Sequence, residues 1–285
     1  HRVDQAYVDR YTALDAAWER TVSGVYSPGD ADPGEDSEAG RAASAHERGL
    51  LTQNEVIGAV NEHSDPRDVV VCAAGSMPGD LHKLWRTRDP KGYHVEYGYS
   101  CMGYEVAGGL GVAMACPDRD VFVMVGDGSY LMMATELATA VQEHVKIITV
   151  LVQNHGYASI GALSESLGSQ RFGTRYRYRG EASGRLDGDF LPIDLAANAA
   201  SFGLEVIKVS TVAELGDAIK IAKAGTEPVV IYVETDPFAD APSSEAWWDV
   251  PVSAVSTLES TQRARRTYEE QKARQRLFLT PPTVP

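Results

Sequence analysis

The apolar residues of this chain fall into short continuous runs, which alternate with segments of helical spacing. Six runs are predicted to be strands: 68–74, 92–97, 120–126, 146–153, 204–210 and 228–234. Continuous runs, as opposed to alternating ones, are typical of parallel strands covered on both faces. Helical segments fill most of the gaps. The pattern therefore predicts an α/β domain with a doubly wound, mainly parallel sheet over residues 49–240.

Residues 1–48 precede this domain and have a different pattern. Within 3–20 the apolar residues are spaced by three and four: Val3, Tyr7, Tyr11, Leu14 and Trp18. This spacing predicts one amphipathic helix, which would join two domains. Residues 27–45 lack a period and are rich in Gly, Pro, Ser and acidic residues, so we expect a flexible acidic linker there.

Two further helices are predicted from local signals. The stretch TQNE at Thr52–Glu55 is a capping box, which predicts a helix over 53–63. Residues 241–285 form a C-terminal tail. Its charged segment 261–278 is predicted to be a helix that packs on a neighbouring domain or subunit.

Composition removes several classes of function. A net charge of -14 argues against a nucleic-acid partner, because phosphate backbones require a basic face. No apolar run approaches the roughly 18 to 20 residues of a membrane span, so no membrane partner is expected. The 3 cysteines show no CxxC spacing, which argues against a disulfide framework or a zinc site and favours a cytoplasmic protein.

Two polar residues stand where predicted strands end. Asp127 follows 120–126 and Asn154 follows 146–153, with a predicted helix over 129–143 between them. This is one crossover, and adjacent parallel strands lie about 4.8 Å apart, so both side chains would reach the same cation. Carboxylate and amide oxygens suit Mg²⁺. An acidic chain that binds a phosphate group also needs such a cation, or backbone amides, to neutralise it.

Glycines surround the carboxylate in the stretch GDG. Gly126 and Gly128 allow the backbone to approach a bulky ligand, and Ser129 is predicted to begin a helix whose N-terminal amides favour phosphate. Either motif alone is typical of an ordinary turn. GDG followed after 25 residues, 129–153, by Asn154 is a more specific pattern.

This pattern resembles the fingerprint of the thiamine diphosphate-dependent enzymes, such as acetolactate synthase and pyruvate decarboxylase. The resemblance implies that Asp127, Asn154 and the backbone carbonyl of Gly156 coordinate Mg²⁺. It also implies that Gly128, Ser129 and Tyr157 lie along the diphosphate.

Two other stretches extend the resemblance. YSCMGYEVAGGLG at 99–111 is similar to the family segment GTMGFGLPAAIG. This implies that Met102 supports the bent cofactor and that the Ser100 carbonyl accepts a hydrogen bond from the aminopyrimidine. AAGSMPGD at 73–80 matches the loop that contacts the diphosphate in relatives, which implies contacts from Gly75, Ser76 and Met77.

A narrower resemblance concerns the substrate. It is carried by VVCAAGSMPGDLHKLWR, YHVEYGYSCMGYEVAGGLG, VMVGDGSYLMM and SESLGSQRFGTRYR. These stretches resemble a branch of the family that opens a cyclic 1,2-dione to 5-deoxyglucuronate in myo-inositol catabolism, by hydrolysis of a carbon–carbon bond. Candidate substrate contacts are His82, Tyr97, His155, Gln170 and Arg171. For His82 and His155 a purely structural role is the favoured alternative.

One component of the family is missing from this sequence. Relatives activate the cofactor with a glutamate on a separate pyrimidine-binding domain, and this chain contains no candidate for it. We therefore expect the C-terminal, diphosphate-binding part of a larger enzyme, inactive alone. Its partner would be an N-terminal pyrimidine-binding portion or chain, and the full enzyme would be a homodimer or homotetramer.

Several alternatives remain open at this stage. The nearest are a 2-oxoacid decarboxylase or carboligase and the small subunit of a two-subunit 2-oxoacid enzyme, although the oxidoreductase version lacks its cysteine cluster. A non-catalytic scaffold domain is another. A nicotinamide dehydrogenase fits poorly, because Leu131 replaces the third glycine of the dinucleotide fingerprint.

Overall fold

The computed structural model describes residues 3–28, 38–239, 241–243 and 247–276. Its strands are β1 (Val69–Cys72), β2 (Tyr93–Val95), β3 (Val121–Gly126), β4 (Ile148–Gln153), β5 (Glu205–Val209) and β6 (Val229–Glu234). Its helices are α1 (Gln5–Tyr26), α2 (Glu38–Glu47), α3 (Gln53–His63), α4 (Ser76–Leu84), α5 (Tyr104–Ala115), α6 (Asp127–Met132), α7 (Glu136–Gln142), α8 (Ala158–Ser166), α9 (Leu195–Ser201), α10 (Val212–Ala224) and α11 (Glu259–Ala273). All six predicted strands are present.

The strands form one parallel sheet in the order β2-β1-β3-β4-β6-β5. Both faces are covered. Phe122 and Met124 of β3 lie in a core cluster with α1, α3, α4 and α10, whereas Val121, Val123 and Val125 lie in a second cluster with α5, α6, α7 and α9. Successive strand residues point to opposite faces, so a continuous apolar run fills both clusters. The predicted doubly wound α/β fold is confirmed.

The order of the strands creates a crevice at one edge of the sheet. From β1 the chain passes outward to β2, and it then returns to the other side of β1 to form β3. Ligands bind at such a point, beyond the carboxyl ends of the strands. β3 and β4 are adjacent, with Gly126 paired to Val152, so Asp127 and Asn154 leave the sheet at the same edge. This confirms the adjacency predicted for these two strands.

The connection between β3 and β4 differs from the single helix predicted over 129–143. It consists of two short helices, α6 and α7, separated at Met133–Thr135. The first begins at Asp127, not at Ser129, with Gly126 as its N-cap. At Met133 the backbone leaves the helical conformation, and the Met133 side chain packs against Gly103. This contact comes from a distant part of the chain, so the local sequence did not indicate it.

The segment before residue 49 is more ordered than predicted. Part of the expected linker is α2, in which Ala42 and Ala45 are buried; residues 29–37 lie outside the described residues. Helix α1 is also longer than the predicted 3–20, and its last residues, including Val22 and Tyr26, lie in the main core. The end of α1 therefore packs on the domain predicted to begin at residue 49, while the domain division and the role of α1 as an interdomain helix stay predictions.

The outer elements are only partly covered. The first half of the apolar stripe on α1 is exposed, with Tyr7 and Leu14 at 65% and 61%. The start of helix α11 is joined to the loop after α8, because the Ser260 and Thr261 hydroxyls donate hydrogen bonds to the Gly168 carbonyl, at 2.6 Å and 2.9 Å. Its predicted packing on another domain stays a prediction. Among the described residues no helix is long and apolar enough to cross a membrane.

We expect Thr52→Ala to lower the free energy of unfolding by about 1 to 2 kcal/mol, because it removes a helix N-cap. Thr52 is buried, and its hydroxyl oxygen accepts the Glu55 N–H at 3.2 Å while the Glu55 carboxylate accepts the Thr52 N–H at 2.8 Å. Urea denaturation of both chains measures the difference. Thr226→Ala, in the exposed loop after α10, is the control; equal midpoints for the two variants would contradict the assignment.

Candidate functional site

A crevice with an empty volume of about 390 Å³ opens beyond the carboxyl ends of β1, β3 and β4. Four short segments form its wall: the loop after β1, the loop before α5, the end of β3 with the start of α6, and the loop from β4 into α8. The lining residues are Ala74, Gly75, Ser76, Met77, Met102, Gly126, Asp127, Gly128, Ser129, Asn154, Gly156, Tyr157, Ala158, Ser159 and Ile160.

Asp127 is the central charged group of this wall and is 1% exposed. Its Oδ1 accepts the Gly128 N–H at 2.7 Å, and its Oδ2 accepts the N–H groups of Asn154 and Gly156, each at 3.1 Å. One carboxylate thus joins the end of β3 to the loop after β4. Charge-assisted hydrogen bonds of this kind are stronger than neutral ones, so they fix the relative position of the two loops.

Burial raises the pKa of the Asp127 carboxyl to about 6, while the N–H groups of Gly156 and Gly128 act in the opposite direction. A carboxyl with a raised pKa is less favourable in its charged form inside the fold than in water. The cost is present once the pH exceeds that pKa, including at neutral pH. A divalent cation beside Asp127 would offset this cost.

The oxygen atoms near Asp127 fit Mg²⁺. The Asn154 Oδ1 is buried and has no hydrogen-bond partner among the described residues, which leaves a hard oxygen donor available. No cluster of three or more His, Cys, Asp or Glu side chains in the described ranges could hold a metal, so a metal site here needs other oxygen donors as well. Mg²⁺ takes few protein ligands and completes its octahedron with phosphate and water oxygens, so a carboxylate, an amide and a backbone carbonyl suffice.

Three helices begin at the crevice: α4, α6 and α8. Their N-cap residues, Gly75, Gly126 and Tyr157, make no side-chain hydrogen bond to the first turn. The first N–H groups of a helix lack partners within the helix, and the helix dipole is positive there. The crevice is therefore suited to a phosphate group.

Tight packing joins the predicted residues Met102, Gly128 and Tyr157. A Cβ atom on Gly128 would lie 2.9 Å from the Tyr157 ring and 3.2 Å from the Met102 Cε. A larger residue at position 128 would displace both side chains. The second glycine of GDG is thus explained by a close approach within the crevice wall.

The structure brings together ten of the eleven predicted cofactor residues. Ser100 is the exception: it is exposed, does not line the crevice, and has a left-handed backbone with φ of 54°. The Glu96 carboxylate holds this loop by accepting the N–H groups of Tyr99 and Cys101, at 3.1 Å and 2.8 Å. The individual roles of these residues in binding stay predictions.

In the part of the chain that the structure describes, none of the five predicted substrate residues lines the crevice. His82 is exposed on α4, where its ring contacts Tyr93 and Tyr97 at centroid distances of 5.6 Å and 5.4 Å. These three rings lie together beside β2, so His82 and Tyr97 form one group.

His155, Gln170 and Arg171 are engaged in contacts within the chain. The His155 Nε2 is 3.5 Å from the Glu234 carboxylate, and the Arg171 Nε donates to Glu165 at 2.7 Å. The Gln170 side-chain oxygen accepts from an arginine at 3.2 Å. These contacts support the structural alternative stated for His155, and contact with a substrate stays a prediction for all three.

The sequence did not single out four residues of the wall: Ala74, Ala158, Ser159 and Ile160. The last three form the first turn of α8, which begins directly after Tyr157. Their position in the sequence could have identified them, because a helix that starts at a strand end beside a phosphate site presents its first turn to the ligand.

A family model described as "Thiamine pyrophosphate enzyme, C-terminal TPP binding domain" matches residues 73–233. This range contains every residue that lines the crevice. The chain therefore belongs to the thiamine pyrophosphate enzymes, and it contains their C-terminal TPP binding domain. Thiamine pyrophosphate and thiamine diphosphate are the same compound.

Curated relatives narrow the similarity. A protein of Bacillus cereus, named 3D-(3,5/4)-trihydroxycyclohexane-1,2-dione hydrolase 2, is 45% identical over 214 residues, which are 75% of this chain and 33% of that protein. A 3D-(3,5/4)-trihydroxycyclohexane-1,2-dione hydrolase from Bacillus thuringiensis strain Al Hakam is 43% identical over 219 residues, 77% of this chain and 34% of its own. The chain thus spans about a third of the length of these relatives.

Solved structures share the fold. Benzoylformate decarboxylase from Polynucleobacter necessarius superposes with a TM-score of 0.55 at 23% identity, covering 66% of this chain and 33% of that one. The thiamine diphosphate-dependent 4-hydroxybenzoylformate decarboxylase of Rhodococcus jostii RHA1 gives 0.54 at 22% identity, with the same coverage of both chains. At this identity the similarity concerns the fold alone.

We expect Asp127→Asn in the full-length protein to weaken magnesium-dependent binding of thiamine diphosphate by about 100-fold or more. The lost attraction between the carboxylate and a divalent cation exceeds about 3 kcal/mol even at an effective dielectric constant of 20. Isothermal titration calorimetry measures the affinity. Asp118→Asn, an exposed carboxylate paired with Arg67, is the matched control and should bind like the wild type. Equal affinities for all three proteins would refute the metal assignment.

Gly126→Ala tests the shape of the crevice. A Cβ atom at Gly126 would meet no protein atom within 4 Å, and its φ of -80° suits alanine, so we expect unchanged stability. The added methyl group points into the space that a ligand would fill, where overpacking costs about 1 to 3 kcal/mol; cofactor affinity should fall by about 10-fold.

Gly111→Ala provides the comparison for this variant. Gly111 lies on α5, and a Cβ atom added there would also meet no atom within 4 Å, but the residue is outside the crevice. The variant should gain about 1 kcal/mol of stability from helix propensity without a change in affinity. A Gly126→Ala protein that binds the cofactor as tightly as the Gly111→Ala protein would show that the crevice is not the cofactor site.

Proposed function

We propose that this chain is the diphosphate- and magnesium-binding part of a hydrolase that opens 3D-(3,5/4)-trihydroxycyclohexane-1,2-dione to 5-deoxyglucuronate, in myo-inositol catabolism. The supporting observation is the 43 to 45% identity to hydrolases of this name across the segments that form the crevice. The cofactor part of the proposal also rests on the crevice itself, which combines oxygen ligands with free helix N-termini.

In this proposal Asp127, Asn154 and the Gly156 carbonyl would hold Mg²⁺, whose charge would offset that of the diphosphate. The first turns of α4 and α8 present their N–H groups to the phosphate oxygens. Bound thiamine diphosphate supplies a nucleophilic carbon that makes cleavage of a carbon–carbon bond beside a carbonyl possible, whereas the protein orients the reactants.

The apolar part of the wall has a separate task. Met102 and the Tyr157 ring both lie close to Gly128 in the crevice wall, and Ile160 is a further apolar lining residue. Such side chains would shield a bound cofactor from water.

A further portion of the enzyme would cover the crevice. Large apolar side chains are exposed at the end of α6 and in the first turn of α8: Leu131, Met132, Met133 and the lining residue Ile160, at 44% to 55%. Exposed apolar side chains are common at interaction surfaces. They support the proposal that a pyrimidine-binding portion supplies the activating glutamate, within a homodimer or homotetramer. A cytoplasmic location is proposed as well.

The substrate is the least constrained part of the proposal. The dione is an uncharged polyol, so an acidic protein does not repel it. His82, Tyr97, His155, Gln170 and Arg171 are retained as candidates for its contacts, although they lie outside the crevice wall. They would reach the substrate only at the mouth of the site, together with residues of the covering portion.

The test compares substrates with the full-length enzyme loaded with thiamine diphosphate and Mg²⁺. We expect kcat/KM for the cyclic dione to exceed that for pyruvate and benzoylformate by at least about 100-fold, because a polyol site rejects analogues that lack its hydroxyl groups. Product formation is followed by NMR spectroscopy. Asp127→Asn should abolish turnover, whereas Asp118→Asn should retain it.

Each result decides between the candidate functions. Turnover of 2-oxoacids without turnover of the dione would overturn the proposed substrate and support a decarboxylase or carboligase. Failure of the wild type to bind thiamine diphosphate with Mg²⁺ would overturn the enzymatic proposal and support a scaffold role.

A further inference from the structure

A second buried carboxylate, that of Glu105, lies behind the wall of the crevice. Glu105 is the second residue of α5 and is 1% exposed, but it does not line the crevice. Burial raises the pKa of this carboxyl, and hydrogen bonds are the opposing influence. A buried carboxylate is costly unless it is hydrogen-bonded, so its partners indicate what it stabilises.

Two segments of the crevice wall donate backbone hydrogen bonds to this carboxylate. The Gly103 N–H donates to Oε2 at 2.9 Å, and the Ala74 N–H donates to Oε1 at 3.4 Å. These donors belong to the loop before α5 and the loop after β1, and each of these segments contributes residues to the crevice.

The two backbone contacts orient specific parts of the wall. Gly103 directly follows Met102, so its N–H belongs to the Met102–Gly103 peptide, and the φ of 96° at Gly103 turns the chain sharply into α5. Ala74 directly precedes Gly75, the N-cap of α4. A carboxylate that accepts both N–H groups therefore sets the position of the Met102 side chain relative to the N-terminus of α4.

Glu105 and Asp127 divide the wall between them. Asp127 joins the start of α6 to the loop after β4, and Glu105 joins the loop before α5 to the loop after β1.

We propose that Glu105 is a positioning residue, which aligns Met102 with the diphosphate end of the crevice and so sets the affinity for the cofactor. This inference rests on the cofactor part of the proposed function and is independent of the substrate. Charge-assisted hydrogen bonds to the backbone would keep the wall in its binding geometry before the cofactor arrives, which lowers the cost of ordering it on binding.

Glu105→Gln in the full-length protein is the direct test. Glutamine has the same shape but carries an NH2 group in place of one carboxylate oxygen, so either the Ala74 or the Gly103 N–H loses the oxygen that accepts it. We expect the Kd for thiamine diphosphate at saturating Mg²⁺ to rise by about 10- to 100-fold. Hydrogen exchange should also become faster at Ala74 and Gly103 in the cofactor-free protein.

Asp68→Asn is the matched control. Asp68 is another buried carboxylate, but it lies before β1 at the opposite edge of the sheet, where it accepts the Asp65 N–H at 2.7 Å. This variant should lower the melting temperature without changing cofactor affinity. Comparison of the two variants distinguishes an effect of Glu105 on the geometry of the crevice from a general loss of stability.

The outcomes are distinct. Glu105→Gln with a Kd within about twofold of the wild type would overturn the inference. If the variant does not fold, exchange in the wild type decides: amides of Ala74 and Gly103 that exchange as fast as exposed ones would overturn it, and protected ones would support it. Absence of cofactor binding by the wild type would instead overturn the proposed function on which the inference rests.

Discussion

The structure of the site depends on one buried carboxylate at the end of β3. Asp127 can join the two loops only because β3 and β4 are adjacent and in register, with Gly126 opposite Val152. Its hydrogen bonds to the Gly128, Asn154 and Gly156 N–H groups then fix the backbone around the crevice. Burial disfavours the charge of this carboxylate despite these hydrogen bonds, which leaves a need for a cation.

This arrangement shows how an acidic protein can bind an anionic cofactor. The wall contains no lysine or arginine among its described lining residues. In the proposed complex, a cation held by Asp127 and Asn154 and the N-termini of α4 and α8 would take the place of basic side chains. Glu105 adds a second buried acceptor that orders the remaining segments. The site is thus formed mainly from backbone groups that carboxylates hold in place.

The features that could be predicted from the sequence are those with a local or periodic pattern. Strands appear as continuous apolar runs, and Asp127 and Asn154 were placed together because the ends of adjacent parallel strands meet. The break after α6 and the order of α2 depend on tertiary contacts, of Met133 with Gly103 and of buried alanines, which leave no local pattern. Glu105 was not identified because a single glutamate in a helix is usually solvated.

The most direct measurement is a crystal structure of the full-length protein with thiamine diphosphate and Mn²⁺ in place of Mg²⁺, with anomalous scattering used to locate the ion. The account predicts one manganese peak in the crevice, about 2.1 to 2.3 Å from the side-chain oxygens of Asp127 and Asn154 and from the Gly156 carbonyl, and in contact with the diphosphate. A bound cofactor whose manganese peak lies beyond bonding distance of Asp127 and Asn154 would contradict it.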